Sequence, residues 1–179
     1  MIKKAFKLQG QGKKLEAAKY YAYLIKNGIK DYRVFSNYGI FLNEIGKQRE
    51  AEYHLKKAIS LNPKYAKAYY NLGVVFIGQG NLEKAELELK KAIKLKSDFA
   101  IAHYNLGFIL KDLGRLKEAD SYNQKALEVD PHFTDAYLSL STMYSLDTTT
   151  KWHNKLFSES LLKNKNNREL ANIFFARSN

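Results

Sequence analysis

Few residues in this 179-residue chain have the type and spacing for bond-making chemistry. There is no Cys, which removes disulfides, thiolate metal sites and cysteine nucleophiles together. The four histidines are His54, His103, His132 and His153, and none stands at a metal-ligand spacing from another His or from a paired carboxylate. Glu83, Glu86 and Glu88 with Lys84, Lys90 and Lys91 read as a solvated helix face laced by i,i+4 ion pairs. No Gly-rich loop follows a strand, and no segment reads as a strand. The expectation is no catalytic residue, no metal, no cofactor and no enzyme. What the sequence does offer is recognition chemistry. Asn37, Asn71 and Asn105 recur 34 residues apart, and an amide side chain carries both a donor and an acceptor. Tyr70, Tyr104 and Phe108 lie beside them, with two readings: aromatic contact area for recognition, or packing between repeats.

The 34-residue interval is a property of the whole chain. Gly12, Gly46, Gly80 and Gly114 keep it, as do Ala17, Ala51, Ala85 and Ala119. Ala58, Ala92 and Ala126 form a third ladder and Gly39, Gly73 and Gly107 a fourth. The only two prolines, Pro63 and Pro131, are two periods apart, with Ser97 midway in the same phase. Internal repeats at such a period signal a stacked array. Within the unit 66–99, Tyr69, Leu72, Gly73 and Phe76 line one helical face. Leu82, Ala85, Leu89, Ala92, Ile93 and Leu95 line a second, and Gly80-Asn81 marks the turn between them. Each unit is therefore a helical hairpin, and the glycine and alanine ladders are expected to let helices approach closely. A hairpin alone cannot bury its apolar face; stacked hairpins can.

These residues resemble the tetratricopeptide repeat (TPR) family. The pattern reads Phe35, Tyr38-Gly39, Leu42, Ala51, Leu55, Ala58, Pro63 in one unit and Tyr69, Leu72-Gly73, Phe76, Ala85, Leu89, Ala92 in the next. It continues as His103, Leu106-Gly107, Leu110, Ala119, Asn123, Ala126, Pro131. His103 replaces an aromatic in this pattern, so it is a core residue rather than a general base. The match extends backward through Gly12 and Ala17 and forward through Tyr137, Leu140-Ser141 and Tyr144. The resemblance implies an all-α, right-handed solenoid of antiparallel helical hairpins with about five repeats. The expected division is a partial repeat or cap over 1–31 and repeats over 32–65, 66–99 and 100–133. A degenerate repeat over 134–163 and a C-terminal helix over 164–179 complete it. In the degenerate unit, Thr148 to Thr150 offer an N-cap and Trp152, Leu156, Phe157 and Leu161 line a closing second helix.

The resemblance also implies a site. In TPR folds the first helix of each hairpin lines a concave groove, and residues off its packing face point there. By helix period these are Arg33, Ser36, Asn37, Ile40 and Asn43, then Lys67, Tyr70, Asn71, Val74 and Ile77. The later units contribute Ile101, Tyr104, Asn105, Phe108 and Lys111, then Asp135, Leu138, Ser139 and Thr142. The groove set singled out for binding is Asn37, Asn71, Asn105, Tyr70, Tyr104, Phe108, Arg33, Lys67 and Lys111. Two readings of the asparagine ladder stand side by side: pairing with the backbone of an extended peptide, as in the superhelix of O-linked N-acetylglucosamine transferases, or tying neighbouring helices together. A clamp for C-terminal carboxylates is not expected, because Ser36/Ile40 and Tyr70/Val74 occupy positions that would need Lys and Asn.

The implied function is a non-enzymatic scaffold that holds a protein or peptide segment. The alternative is the substrate-recruiting part of a longer transferase, because the arrangement also resembles bacterial TPR regions that precede sulfotransferase or glycosyltransferase domains; no catalytic domain lies in these residues. The aromatic ending Ile173-Phe174-Phe175 has two readings, a small cap folded back on the last hairpin or a surface for further repeats or self-association. No apolar run is long enough to span a membrane and no secretory signal opens the chain, so the expected compartment is the cytoplasm and no membrane partner is expected. The net charge is +12, strongest over the first 31 residues, which hold eight Lys against Glu16 and Asp31. Lys outnumbers Arg 25 to 5 and no nucleic-acid motif occurs, which argues for a solvated capping face and against nucleic acid.

Overall fold

The computed structural model of the chain describes residues 1–143 and 151–178. Among the described residues all regular structure is helical: α1 (Ile2–Gly10), α2 (Lys14–Lys26), α3 (Tyr32–Glu44), α4 (Gln48–Leu61), α5 (Ala66–Gly78), α6 (Leu82–Leu95), α7 (Ala100–Asp112), α8 (Leu116–Val129), α9 (Thr134–Ser141), α10 (Lys151–Leu156), a 3-10 turn (Glu159–Leu162) and α11 (Asn167–Ser178). The chain divides into two compact units, Met1–Lys96 with α1 to α6 and Ser97–Asn179 with α7 to α11.

Unit 1 is three hairpins, α1 on α2, α3 on α4 and α5 on α6, with α2 also packed on α3 and α4 on α5. The two glycine ladders have different causes, which corrects the expectation that both serve close approach. Gly80, at the turn between α5 and α6, has φ +73° and open space around the position a Cβ would take. It is there because the left-handed backbone region suits glycine. Its N–H donates to the Ile77 carbonyl at 2.9 Å and the Asn81 N–H to the Phe76 carbonyl at 2.9 Å, the paired bonds of a Schellman helix end. Gly12, Gly46 and Gly114 repeat that geometry with φ of +75°, +78° and +74°. Gly73 is different: a Cβ there would sit 2.9 Å from Leu89 Cγ, so the absence of a side chain is what lets α5 and α6 touch.

The alanine ladders are packing positions as expected, since Ala51, Ala85, Ala58 and Ala92 are fully buried. Asp31 caps α3, accepting from the Arg33 N–H at 2.9 Å, and Asn81 caps α6 through the Lys84 N–H at 3.2 Å.

Unit 2 begins in the same way, with α7 and α8 as a hairpin and α9 packed on α8. It then departs from the expected pattern. The second helix of the fifth hairpin does not run continuously over 151–163. A six-residue α10 ends at Leu156, Ser158 is extended (φ −73°, ψ 141°), and a 3-10 turn follows. The broken helix leaves carbonyls unpaired, and α11 supplies their donor. Arg177 Nε donates to the Leu156 carbonyl at 2.9 Å and its Nη2 to the Ser158 carbonyl at 3.2 Å. It is α11 that packs on α9. Leu156, Leu161, Ile173 and Ala176 close a core with Tyr137 and Leu140. So Ile173 folds back onto unit 2, whereas Phe174 and Phe175 on the same helix each stay 55% exposed. Tyr144 and the Thr148 to Thr150 cap lie outside the described residues.

Candidate functional site

The site is built on first helices, because their outer faces carry side chains that the hairpin core does not use. In unit 1 these are α3 and α5. Ile40, Asn43, Tyr70, Asn71 and Val74 line one cavity of about 190 Å³, floored by Leu55 and Val75. Asn71 is half-buried there, and no intramolecular hydrogen bond engages its amide among the described residues. Its donor and acceptor are unspent among the described residues. Tyr70 lies beside it, which brings together two of the expected groove residues.

Asn37 behaves otherwise. Its Nδ2 donates to the Tyr21 hydroxyl at 3.3 Å, and that hydroxyl donates in turn to Gln9 Oε1. Burial pushes the Tyr21 phenol above its ordinary pKa, and the Asn37 bond acts against that rise. Asn37 therefore links α3 to α2 and α1, around a cavity of only about 30 Å³. That is room for a water and no more. Arg33 is exposed but is not an independent groove cation. Its guanidinium grips Asp31 at 3.0 and 2.6 Å and lies 5.2 Å over the Phe6 ring, which holds the Asp31 carboxyl below the usual carboxylate range. Lys67 is exposed at the start of α5. Ser36, expected in the groove, is buried with its Oγ unpartnered among the described residues; it sits one helical step inside Asn37.

In unit 2, Tyr104, Phe108 and Lys111 come together as the period implies. They line a cavity of about 530 Å³ with Asp135, Leu138, Ser139 and Thr142 of α9. The third wall is α11, through Ala171, Asn172 and Phe175. Tyr104 packs edge-on to Phe133, ring centroids 5.3 Å apart, and burial first, then the Asp135 charge, push its phenol pKa upward. Lys111 Nζ donates to Thr142 Oγ1 at 2.8 Å, and Asn172 Nδ2 to Asp135 Oδ1 at 2.7 Å. One cation and one anion are thus held in place at the rim of a mostly apolar hollow. Asn105 is half-buried on α7 and does not line it. A further cavity of about 400 Å³ lies among α8, α9 and α10, bordered by Leu127, Tyr137 and Trp152, and holds none of the expected residues.

Two features were missed from the sequence. The wall from α11 was not anticipated, because nothing in a periodic pattern says where an aperiodic tail returns. The second is Asn123, which stands where the earlier units carry Leu55 and Leu89. It is fully buried, donates from Nδ2 to Ser139 Oγ at 3.0 Å, and leaves its Oδ1 without a partner among the described residues. The break in the leucine ladder was the available signal. His103 is buried, as its place in the pattern implied, with Nε2 donating to the Ser97 carbonyl at 2.8 Å. Among the described residues no three His, Asp or Glu side chains gather as a metal site.

Tandem antiparallel hairpins in 34-residue register define a helical-repeat fold. The TPR repeat family model matches residues 42–80 and 75–114, and the tetratricopeptide repeat model matches 100–133. The chain belongs to the tetratricopeptide repeat family. No curated protein matches it. Among solved structures it is similar to MamA, at 22% identity over 97% of this chain and 94% of that one, with a TM-score of 0.71. It is similar to YrrB, described as a TPR protein with an unusual peptide-binding site, at 20% identity over 99% and 85% with a TM-score of 0.68. It is also similar to pilF of Pseudomonas aeruginosa, at 20% identity over 78% and 64% with a TM-score of 0.69. These likenesses are of fold. They place the chain with TPR folds; none carries the resemblance to repeats that precede transferases.

Proposed function

We propose that the chain is a binding scaffold that takes a peptide segment of another protein on the first-helix faces of its units. The observation that carries this reading is the hollow in unit 2, where Tyr104, Phe108 and Lys111 converge with Leu138 and Phe175. Its size and its apolar lining with a few fixed polar groups fit a recognition pocket for one or two large side chains. Phe108 and Phe175 remain 41% and 55% exposed, so the aromatic surface is not consumed by the fold. In unit 1 Asn71 offers the donor-acceptor pair that a peptide backbone needs, with Tyr70 as its neighbour. Asn37 donates to the Tyr21 hydroxyl, which is consistent with the other reading of the ladder, a tie between neighbouring helices. YrrB, with the same fold, is described as having a peptide-binding site, which is consistent with this use.

The test is selection of binders from a random peptide library on the full chain, followed by titration of the Phe108→Ala and Asn71→Ala variants. Phe108→Ala is expected to weaken the selected peptide on the order of tenfold or more, and Asn71→Ala by less, with thermal midpoints close to wild type. Unchanged binding in both variants overturns the reading.

A further inference from the structure

The second helices of unit 1 carry a surface that peptide binding on the first helices does not use. On α2, Leu15, Lys19, Tyr23 and Lys26 form one solvent-facing stripe. The same repeat positions hold Arg49, Tyr53, Lys57 and Ser60 on α4, and Glu83, Leu87, Lys91 and Lys94 on α6, where Lys91 pairs with Glu88 at 3.0 Å. Leu15, Tyr23, Tyr53 and Leu87 are 62%, 50%, 66% and 53% exposed. Lys19, Lys26, Arg49, Lys57 and Lys94 are exposed and make no ion pair among the described residues. Leu15, Tyr23 and Leu87 stay largely exposed on the packed hairpins, and Tyr53 meets His54 edge-on at 5.1 Å while keeping 66% of its surface exposed. Unit 2 lacks the pattern: the corresponding stripe of α8 reads Lys117, Ser121, Lys125 and Glu128.

We propose that the outer face of α2, α4 and α6 docks on an anionic lipid surface. Charge complementarity is the first argument. Unit 1 carries 20 Lys and Arg against eight Asp and Glu, so it holds the entire +12, while unit 2 has ten of each and is neutral. The composition of the face is the second. Lys is depleted in protein–protein interfaces, whereas clustered Lys with interleaved Leu and aromatic side chains suits the headgroup and acyl boundary of an anionic leaflet. Nucleic acid would use Arg forks and would leave Leu15 and Leu87 without a function. No helix among the described residues is long and apolar enough to cross a membrane, so the attachment is to the surface. It departs from the expectation that no membrane partner exists, which rested on the lack of a spanning segment.

The experiment is co-sedimentation of the full chain with vesicles of phosphatidylcholine alone and of equal parts phosphatidylcholine and phosphatidylglycerol, beside a gel-shift with duplex DNA. Sedimentation with the anionic vesicles only is expected, weakening as salt rises. A Lys19→Gln/Lys57→Gln/Lys94→Gln variant is expected to lose affinity on the order of 100-fold, at roughly fivefold per lysine. Leu15→Ser/Leu87→Ser should lower the binding that survives in high salt. Lys117→Gln/Lys125→Gln on unit 2 should leave it unchanged. Circular dichroism confirms that each variant is folded. No sedimentation, sedimentation that the triple variant retains, or equal loss from the unit 2 variant overturns the proposal. A shift of DNA without vesicle binding overturns it in favour of nucleic acid. Peptide binding on the first helices is read separately and stands or falls without this result.

Discussion

Unit 1 and unit 2 use the same 34-residue grammar and diverge wherever the grammar is broken. Unit 1 keeps its leucine ladder, so Leu55 and Leu89 fill the space opened by Gly39 and Gly73. Unit 2 puts Asn123 in that place, breaks its fifth hairpin, and recruits α11 to complete both a core and a wall. Unit 1 holds all of the net charge and unit 2 none. The regular half is thus the one with a narrow first-helix cavity and a charged outer face. The irregular half has the larger hollow. Departures from a repeat pattern free side chains from stacking duty, and the freed positions are where a pocket forms.

Exchanging the signature core residue of the two units should have the largest effect. Leu89→Asn places unit 2's residue in unit 1, where a polar amide would replace a fully buried leucine packed against Gly73, and is expected to cost about 3 kcal/mol in denaturant unfolding. A cost below roughly a third of that would erase the distinction between the two cores. Gly73→Ala comes next, at about 2 kcal/mol, because its Cβ would meet Leu89 Cγ at 2.9 Å. Gly107→Ala in unit 2 should cost somewhat less, since the Ala119 carbonyl and the Asn123 amide that its Cβ would meet both lie at 3.1 Å. The reverse core exchange, Asn123→Leu, should raise stability by about 1 kcal/mol by removing an unpartnered buried oxygen. It should also release Ser139, so a selected peptide that touches this hydroxyl would bind differently.

The smallest expected effect is a pH dependence confined to unit 1. His54 lies among Tyr38, Phe35 and Tyr53, ring centroids 4.9, 5.9 and 5.1 Å away, and burial lowers its pKa against the opposing Glu50 charge. The unfolded chain takes up the proton first, near pH 6.5. The contribution of neutral His54 is therefore complete above that pH and is lost as pH falls through the lower folded value. Thermal midpoints between pH 7 and 5 should drop by more in wild type than in His54→Phe. Equal drops would show that the ring is not the titrating group.

Much of this was legible in the sequence. The spacing of Gly46, Gly80, Ala51 and Ala85 gave the hairpins, and helix period alone brought Tyr104, Phe108 and Lys111 to one cavity. The reasons behind individual residues were less visible. Gly80 and Gly73 look alike on paper, yet one answers to a backbone angle and the other to a neighbouring leucine. Likewise Asn37 and Asn71 share a phase, yet Tyr21 lies within reach of the first alone. Those differences depend on what a distant helix places opposite. The path of α11 was hidden for the same reason: Arg177 closes a helix break that no local pattern announces.

The central claim, that the first-helix faces hold a peptide, is tested most directly by mapping backbone amide shifts of the full chain as a library-selected peptide is titrated in. Perturbations are expected to gather on Tyr70 and Asn71 in unit 1 or on Tyr104, Phe108, Leu138 and Phe175 in unit 2. Perturbations confined to the outer faces of α2, α4, α6 and α8 would contradict it.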